Sequence, residues 1–120
     1  MRGRGRRAVR MLEPALLLLL HHGPAHGYTL LEQLEKFGLA HVDPSTIYRM
    51  LRDMEAKGWV TSLWGEEQSQ GPPRRVYRIT TLGDEVLVLW TQDLEESRKR
   101  IDYLLGVYHR HMKEGEGEHH

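Results

Sequence analysis

A short run of hydroxyl and arginine side chains near the middle of the chain carries donor groups suited to phosphate and nucleobase edges. The run comprises Ser45, Thr46, Tyr48, Arg49 and Arg52. Hydroxyl and guanidinium groups donate hydrogen bonds to phosphate oxygens, and arginine also binds the N7 and O6 edge of guanine. If the run opens a helix, its backbone N–H groups also face phosphate. The pattern predicts a helix that enters a DNA major groove, with an ordinary surface helix as the alternative.

Local signals mark the ends and the two sides of this helix, which is predicted over residues 43–58. Asp43 or Ser45 can cap its start, Pro44 suits the first turn, and Gly58 suits a left-handed residue that ends it. At helical spacing one side is apolar (Ile47, Met50, Leu51, Met54) and the other is largely polar (Thr46, Arg49, Arg52, Asp53). One side is therefore suited to a core and the other to a partner.

Two more helices are predicted before it. The first covers about residues 14–22, where a run of leucines is apolar nearly all round and so indicates a buried helix. The second begins within residues 25–28 and ends at about Phe37, before Gly38. Three short helices, the third with an exposed polar side, match the helix-turn-helix pattern.

The pattern then changes to that of a β-hairpin. Residues 59–64 and 76–80 are rich in β-branched and aromatic side chains and predict two strands. The polar connection between them is too long for a tight turn and carries Arg74 and Arg75 at its end. A hairpin directly after a recognition helix is a wing, whose arginines can reach the DNA backbone or minor groove. A plain surface hairpin with solvated arginines is the alternative.

A long final helix is predicted over residues 81–112. Thr81 followed by Asp84 resembles a capping box at its start. Residues at alternating spacings of three and four form an apolar seam: Leu87, Trp90, Leu94, Ser97, Ile101, Leu104 and Tyr108. This seam is longer than a small front domain can cover, so we expect it to pair with the same helix of a second chain.

The two ends of the chain have little to bury. Residues 1–10, rich in arginine and glycine, predict a flexible basic arm that lies on DNA, or else a disordered solubilising tail. The expected organisation is this arm, a winged helix-turn-helix DNA-binding domain over residues 11–80, a dimerisation helix over residues 81–112 and a disordered tail over residues 113–120.

Composition narrows the function classes. The chain has 120 residues, enough for about one domain, and it lacks cysteine, which excludes disulfides, thiol nucleophiles and Cys-type zinc sites. The formal net charge is zero, but the start and residues 74–78 are basic whereas the last third is acidic. No apolar run is long enough to span a bilayer and no cleavable secretory signal is recognisable, so we expect a cytoplasmic protein.

The spacing of the histidines and of candidate catalytic residues gives little support for metal binding or catalysis. Of the 8 histidines, the neighbours His21 and His22 point in different directions, and so do His109 and His111 on the final helix. His22 and His26 are four residues apart, but Pro24 lies between them and interrupts the helical spacing that a metal site favours. A metal site formed between two subunits is the remaining alternative. Neither a glycine-rich phosphate loop nor a carboxylate–histidine constellation is recognisable, so we predict no enzymatic activity, no metal and no cofactor.

Four segments and a glycine follow one another in a distinctive order within residues 12–110. They are Gly23-Pro24-Ala25-His26-Gly27-Tyr28, Ser45-Thr46-Ile47-Tyr48-Arg49-Met50-Leu51, Gly58-Trp59-Val60, Gly71-Pro72-Pro73-Arg74-Arg75-Val76-Tyr77-Arg78-Ile79-Thr80, and Gly83. Together they resemble the PadR family of bacterial transcriptional regulators. The resemblance implies a mainly α fold with a small β-hairpin: a winged helix-turn-helix domain followed by one C-terminal dimerisation helix. It also implies a homodimer that binds an inverted-repeat operator in double-stranded DNA, typically as a repressor.

The resemblance also implies roles for individual residues. The DNA-binding set would be Tyr28, Ser45, Thr46, Tyr48, Arg49, Arg52, Arg74 and Arg75. The dimer interface would comprise Leu87, Trp90, Leu94, Ile101, Leu104 and Tyr108. His26 and Gly27 are expected to be structural, and Tyr77 is expected to pack in the core or at the base of the wing.

A small aromatic effector is a further expectation from the resemblance. Multidrug-responsive members hold flat aromatic compounds between tryptophans of the two final helices. That position falls on Leu94 here, and the helix carries Trp90 one turn earlier, so both are candidate ligand-binding residues, with dimer packing as the other role for Trp90. The rival to DNA binding is a winged-helix module that contacts protein or RNA instead.

Overall fold

The computed structural model describes residues 2–39, 42–64 and 75–118, with side chains described from residue 11 to residue 115 within these ranges. The chain divides into two compact units, Met1–Val88 and Leu89–His120, here called the N-terminal unit and the C-terminal unit. The elements are α1 (Arg2–His22), β1 (Ala25–His26), α2 (Gly27–Leu34), a 3-10 turn (Glu35–Phe37), α3 (Pro44–Ala56), β2 (Val60–Trp64), β3 (Arg75–Ile79) and α4 (Thr81–Glu118). This mainly helical architecture with a small antiparallel sheet confirms the predicted fold class.

The core of the N-terminal unit consists mostly of leucines on α1 and of one side each of α2 and α3. Its fully buried side chains are Leu12, Leu16, Leu17, Leu20, Leu30, Leu34, Ile47, Leu51, Met54 and Val60. Spacings of three and four residues place such side chains on one side of a helix, so the period alone predicts most of this set. Each contributes about 1.5–3 kcal/mol through burial.

Helix α1 begins at Arg2, so its predicted start near Pro14 is wrong. A proline inside a helix removes one hydrogen bond and costs about 3 kcal/mol. Arginine, alanine, methionine and leucine on both sides of Pro14 are strong helix formers, and they continue the helix through it. The helical backbone of residues 2–10 also departs from the predicted flexible arm.

The sheet has the strand order β1-β3-β2 and is antiparallel throughout. Its hairpin, β2 with β3, runs in register from Val60 opposite Ile79 to Trp64 opposite Arg75, close to the predicted strands. Strand β1 was not predicted, because a strand of two residues leaves no alternating pattern in the sequence. The predicted wing tip, residues 65–74 with Arg74, lies outside the described residues.

The ends of α3 follow the predicted signals. The Asp43 carboxylate accepts a hydrogen bond from the Ser45 N–H at 3.0 Å, so Asp43 is the cap, and Pro44 occupies the first position. Such a cap is worth about 1 kcal/mol. Gly38 and Gly58 have φ of 74° and 81°, the left-handed backbone expected after α2 and α3.

The residue that caps helix α4 lies one position before the predicted one. The Thr80 hydroxyl, not that of Thr81, accepts a hydrogen bond from the Gly83 N–H at 3.0 Å, and it donates to the Gly58 carbonyl oxygen at 2.6 Å. Asp84 contacts His21 Nδ1 at 2.8 Å instead of closing a capping box. Thr80 becomes the cap because the turn after α3 holds its hydroxyl in place.

The far end of α4 also differs from the prediction. The helix continues to Glu118, beyond the expected end at residue 112, so residues 113–118 of the predicted tail have helical backbone. Lysine and glutamate in this segment favour helix, whereas Gly115 and Gly117 oppose it by about 1 kcal/mol each, so helix propensity alone does not account for the extension. None of the helices in the described ranges is both long and apolar enough to cross a membrane.

Candidate nucleic-acid interface

Helix α3 has one buried and one exposed side, as its pattern predicts. Ile47, Leu51 and Met54 are buried. Of the predicted DNA-binding residues on this helix, Ser45, Tyr48, Arg49 and Arg52 are exposed, and Thr46 is half-buried. The exposed side therefore presents two guanidinium groups, a phenol and a hydroxyl.

The start of α3 is less open to an anion than its sequence suggests. Because the Asp43 carboxylate accepts a hydrogen bond from the Ser45 N–H, one free helix N–H is already occupied. The carboxylate also places negative charge at the helix end that would otherwise attract phosphate. The donors that this helix offers to an anion are therefore mainly those of its side chains.

Three of the predicted DNA-binding residues border one cleft of about 310 Å³ in the N-terminal unit. Tyr28 lies at the start of α2, Tyr48 on α3 and Arg75 at the start of β3. The rest of the lining is His26, Gly27 and Tyr77. Residues far apart in sequence thus come together where the recognition helix meets the base of the hairpin.

Tyr48 reaches this cleft because Gly27 has no side chain. A Cβ at Gly27 would lie 2.5 Å from Tyr48 Cε1 and 3.2 Å from the phenol oxygen. The expectation that Gly27 permits a close approach is therefore confirmed. The tyrosine ring rather than backbone occupies the space beside this glycine.

Replacing Gly27 by alanine should move the Tyr48 ring with only a small loss of stability. The ring is partly exposed and can rotate away, so we expect the free energy of unfolding to fall by about 1 kcal/mol or less. Urea denaturation measures this change. A loss above about 3 kcal/mol would mean that the ring is fixed in place.

The Glu55–Ser62 pair joins the hairpin to α3, and Tyr77 is buried at the base of the hairpin. Tyr77 is only 4% exposed, which confirms its predicted packing role. Burial raises the pKa of the Tyr77 phenol, Glu55 adds to the rise, and the nearby Arg75 opposes it. The Ser62 hydroxyl donates to the Glu55 carboxylate at 2.7 Å, which joins β2 to α3.

Trp64 makes a contact with Arg75 in this region that the sequence did not reveal. The Arg75 guanidinium carbon lies 4.9 Å from the centroid of the Trp64 ring, within the range of a cation–π interaction. The two residues are cross-strand partners at the ends of β2 and β3. Finding the pair requires the strand register, which the sequence does not specify across a long connection.

The predicted dimer residues of the C-terminal unit are largely unburied in the single chain. Ile101 is 56% exposed, and Leu104 and Tyr108 are similarly open, while Trp90 and Leu94 are half-buried. A groove of about 520 Å³ on this unit is lined by Lys99, Arg100, Tyr103, Leu104 and Val107. Neither candidate ligand-binding residue, Trp90 or Leu94, contributes to this groove.

Leu87, one of the predicted dimer residues, is already buried within the single chain. It lies in the N-terminal unit and is only 8% exposed in the single chain. The first turns of α4 belong to that unit, so Leu87 serves its core. It has little surface left to bury against a second chain.

The described residues also bear on metal binding. Within residues 2–39, 42–64 and 75–118, the structure contains no cluster of three or more histidine, aspartate or glutamate side chains that could hold a metal ion.

Comparisons with known proteins relate this architecture to transcriptional regulators. The model of the "Transcriptional regulator PadR-like family" matches residues 16–88. A proposed transcriptional regulator from Thermoplasma acidophilum is similar in structure, with 32% identity, a TM-score of 0.71, and coverage of 84% of this chain and 96% of the other. A PadR-like transcriptional regulator from Bacillus cereus has 29% identity and a TM-score of 0.69 over 78% of this chain and 90% of the other. Among curated proteins, none matches this chain significantly.

The family match covers α2, α3, the hairpin and the first turns of α4, the elements that build the cleft and the exposed side of the recognition helix. The Thermoplasma acidophilum structure extends the likeness over most of both chains. Sequence, fold and comparisons agree, and the chain belongs to the PadR-like family of transcriptional regulators.

Proposed function

We propose that this regulator is a homodimer that binds an inverted-repeat operator in double-stranded DNA and represses transcription. One observation carries the proposal: Tyr28, Tyr48 of α3 and Arg75 at the base of the hairpin border a single cleft. Arg49 and Arg52 are exposed on the same helix as Tyr48. Family membership supplies the transcriptional context.

In this proposal α3 enters the major groove and the hairpin follows the adjacent backbone. Arg49 and Arg52 are the candidates for guanine edges and phosphates, since both are exposed and carry bidentate donors. Tyr28, Tyr48 and Arg75 border the cleft and are suited to phosphate. Arg74 is proposed from its sequence position alone, as are the hydroxyl contacts of Ser45 and Thr46.

Dimerisation through the C-terminal part of α4 would set the spacing of the half-sites. Two recognition helices about 34 Å apart meet successive major grooves on the same side of DNA. The exposed apolar side chains Ile101, Leu104 and Tyr108 support a helix-to-helix contact. A small aromatic effector at Trp90 and Leu94 is left out of this proposal, because the groove on that unit is lined by other residues.

The test is a fluorescence-anisotropy titration of the full chain against labelled duplexes from the region upstream of its own gene. A scrambled duplex of equal composition serves as competitor, at low and at moderate salt. We expect competitor-resistant binding at one dimer per palindrome, weakening steeply with salt because lysine and arginine displace counterions from phosphate. Weak, equal binding to both duplexes would favour a protein-binding module instead.

Replacing Arg49 by alanine should weaken operator binding about tenfold for each half-site, the usual cost of one lost bidentate base contact. The matched control is Arg98→Ala, which removes the same charge from an exposed arginine of the C-terminal unit that pairs with Glu95 at 2.6 Å. The anisotropy titration compares the two. Equal affinities for both variants would place the recognition surface elsewhere.

A further inference from the structure

We infer that Trp64 is a positioning residue for DNA binding, which holds the Arg75 guanidinium at the cleft so that it can bind one backbone phosphate. The inference rests on the proposed DNA binding and adds to it a residue outside the expected contact set. It assigns Trp64 an effect on affinity through Arg75 rather than through the core.

Geometry places the tryptophan and the arginine in a defined pair. Trp64 ends β2, Arg75 begins β3, and the two are directly opposite in the hairpin register. The guanidinium carbon lies 4.9 Å from the ring centroid. Arg75 also lines the cleft that Tyr28 and Tyr48 border, whereas Trp64 is not part of that lining.

Core packing does not account for a tryptophan at this position. The side chain is 60% exposed, although tryptophan is the largest apolar residue and gains most from burial. Its neighbour Leu63 is also exposed, so this end of β2 contributes little to the core. Among the described residues, Arg75 makes a cation–π contact with the Trp64 ring.

A free arginine on the surface samples many rotamers, and binding an anion must restrict them. Contact with an aromatic ring uses the flat surface of the guanidinium and leaves its N–H donors for a phosphate oxygen. The buried Tyr77 lines the same cleft as Arg75, so the arginine lies between the Trp64 contact and the cleft. Arg75 is therefore held in place before DNA arrives.

A second cation–π pair provides a useful contrast. Lys57 Nζ lies 4.6 Å from the Trp59 ring centroid, at the end of α3. Neither residue lines the cleft. The same kind of contact is thus present twice among the described residues of the N-terminal unit, and of these two pairs the Trp64 pair includes a residue of the candidate interface.

The experiment compares Trp64→Leu, which keeps apolar bulk but removes the aromatic surface, with Trp64→Phe, which retains a ring. Leu63→Ala is the matched control on the same strand, and Arg75→Gln and the double variant Trp64→Leu/Arg75→Gln complete a cycle. Anisotropy titrations with the upstream duplex over a range of salt give affinity and the slope of log Kd against log salt. Thermal denaturation monitors folding of each variant.

We expect Trp64→Leu to weaken binding about threefold for each subunit, the size of an exposed cation–π interaction. For this variant the slope of log Kd against log salt should fall towards the slope of Arg75→Gln. The slope of Arg75→Gln should be lower than that of the wild type by about 0.9 for each phosphate contact removed. Trp64→Phe and Leu63→Ala should resemble the wild type, and Trp64→Leu should add nothing in the Arg75→Gln background. All variants should keep the wild-type melting temperature within a few degrees.

Wild-type affinity and slope for Trp64→Leu would overturn the inference, as would an equal loss in the presence and absence of Arg75. Either result leaves the proposed function intact, because the wild-type protein would still bind the upstream duplex. Failure of the wild type to prefer that duplex over the scrambled one would instead count against the proposed function, whatever the variants do.

Discussion

Replacing Ile101 by glutamate is expected to convert the proposed dimer into a monomer and to weaken binding to a two-half-site duplex by at least about 100-fold. Ile101 is 56% exposed in the single chain and lies on the predicted seam of α4. A carboxylate there would have to be buried without a partner if two such helices packed together. Loss of the dimer removes the linkage between the two recognition helices, and that linkage is worth a factor of about 100 to 10,000.

Tyr103→Glu provides the matched control for this variant. Tyr103 is 73% exposed and lies two positions along the same helix, which is about 200° round the axis from Ile101. It is off the seam, so its replacement should leave a dimer. Sedimentation velocity at micromolar concentration measures the association state, and the anisotropy titration measures the affinity. A dimeric Ile101→Glu variant would show that the seam is wrongly placed.

Replacing Gly83 by alanine is expected to destabilise the N-terminal unit by about 3 kcal/mol, at the upper end of the usual cost of overpacking. A Cβ at this position would overlap the Trp59 carbonyl oxygen and lie 2.7 Å from Ile79 Cγ1. Backbone cannot rotate away as a side chain can, so the first turn of α4 would have to move. That movement would also stretch the hydrogen bond from the Gly83 N–H to the Thr80 hydroxyl, now 3.0 Å.

Helix propensity alone predicts the opposite sign for this substitution, since alanine is favoured over glycine by about 1 kcal/mol inside a helix. Gly106→Ala is the control, because nothing lies within 4 Å of a Cβ at Gly106 on the same helix. We expect Gly106→Ala to raise the melting temperature slightly and Gly83→Ala to lower it by roughly 10 °C or more. A stabilised Gly83→Ala variant would contradict the close packing of α4 on Trp59.

The contrast between Gly27 and Gly83 shows why a glycine in a motif has no single meaning. Both belong to the segments that resemble the family, and both have a close neighbour. The neighbour of Gly27 is a partly exposed tyrosine ring, whereas that of Gly83 is backbone. The first substitution should therefore alter a binding surface and the second should alter stability.

The sequence by itself determined the features that depend on neighbours a few residues apart. The buried side of α3 and the left-handed glycines after α2 and α3 follow from helical period and local hydrogen bonding. The sequence limited the cap of α3 to Asp43 or Ser45, and the structure shows that it is Asp43. The two strands of the hairpin follow from their residue types. The motif order also indicated the family correctly.

Where the prediction failed, a distant partner made the difference. Thr80 rather than Thr81 caps α4 because the Gly58 carbonyl, 22 positions away, binds its hydroxyl. Asp84 contacts His21, from which it is separated by 63 positions. The burial of Leu87 in the N-terminal unit is likewise a tertiary feature that the seam pattern of α4 does not reveal.

For the candidate site, too, some features follow from the sequence and others from the tertiary structure. The sequence supplied its donor residues, since arginine, tyrosine and serine on an amphipathic helix are recognisable from type and spacing. Only the tertiary structure brought Tyr28, Tyr48 and Arg75 around one cleft and placed Trp64 against Arg75. The reason is physical: local patterns fix which side of an element is exposed, whereas the distance between elements depends on packing and strand register.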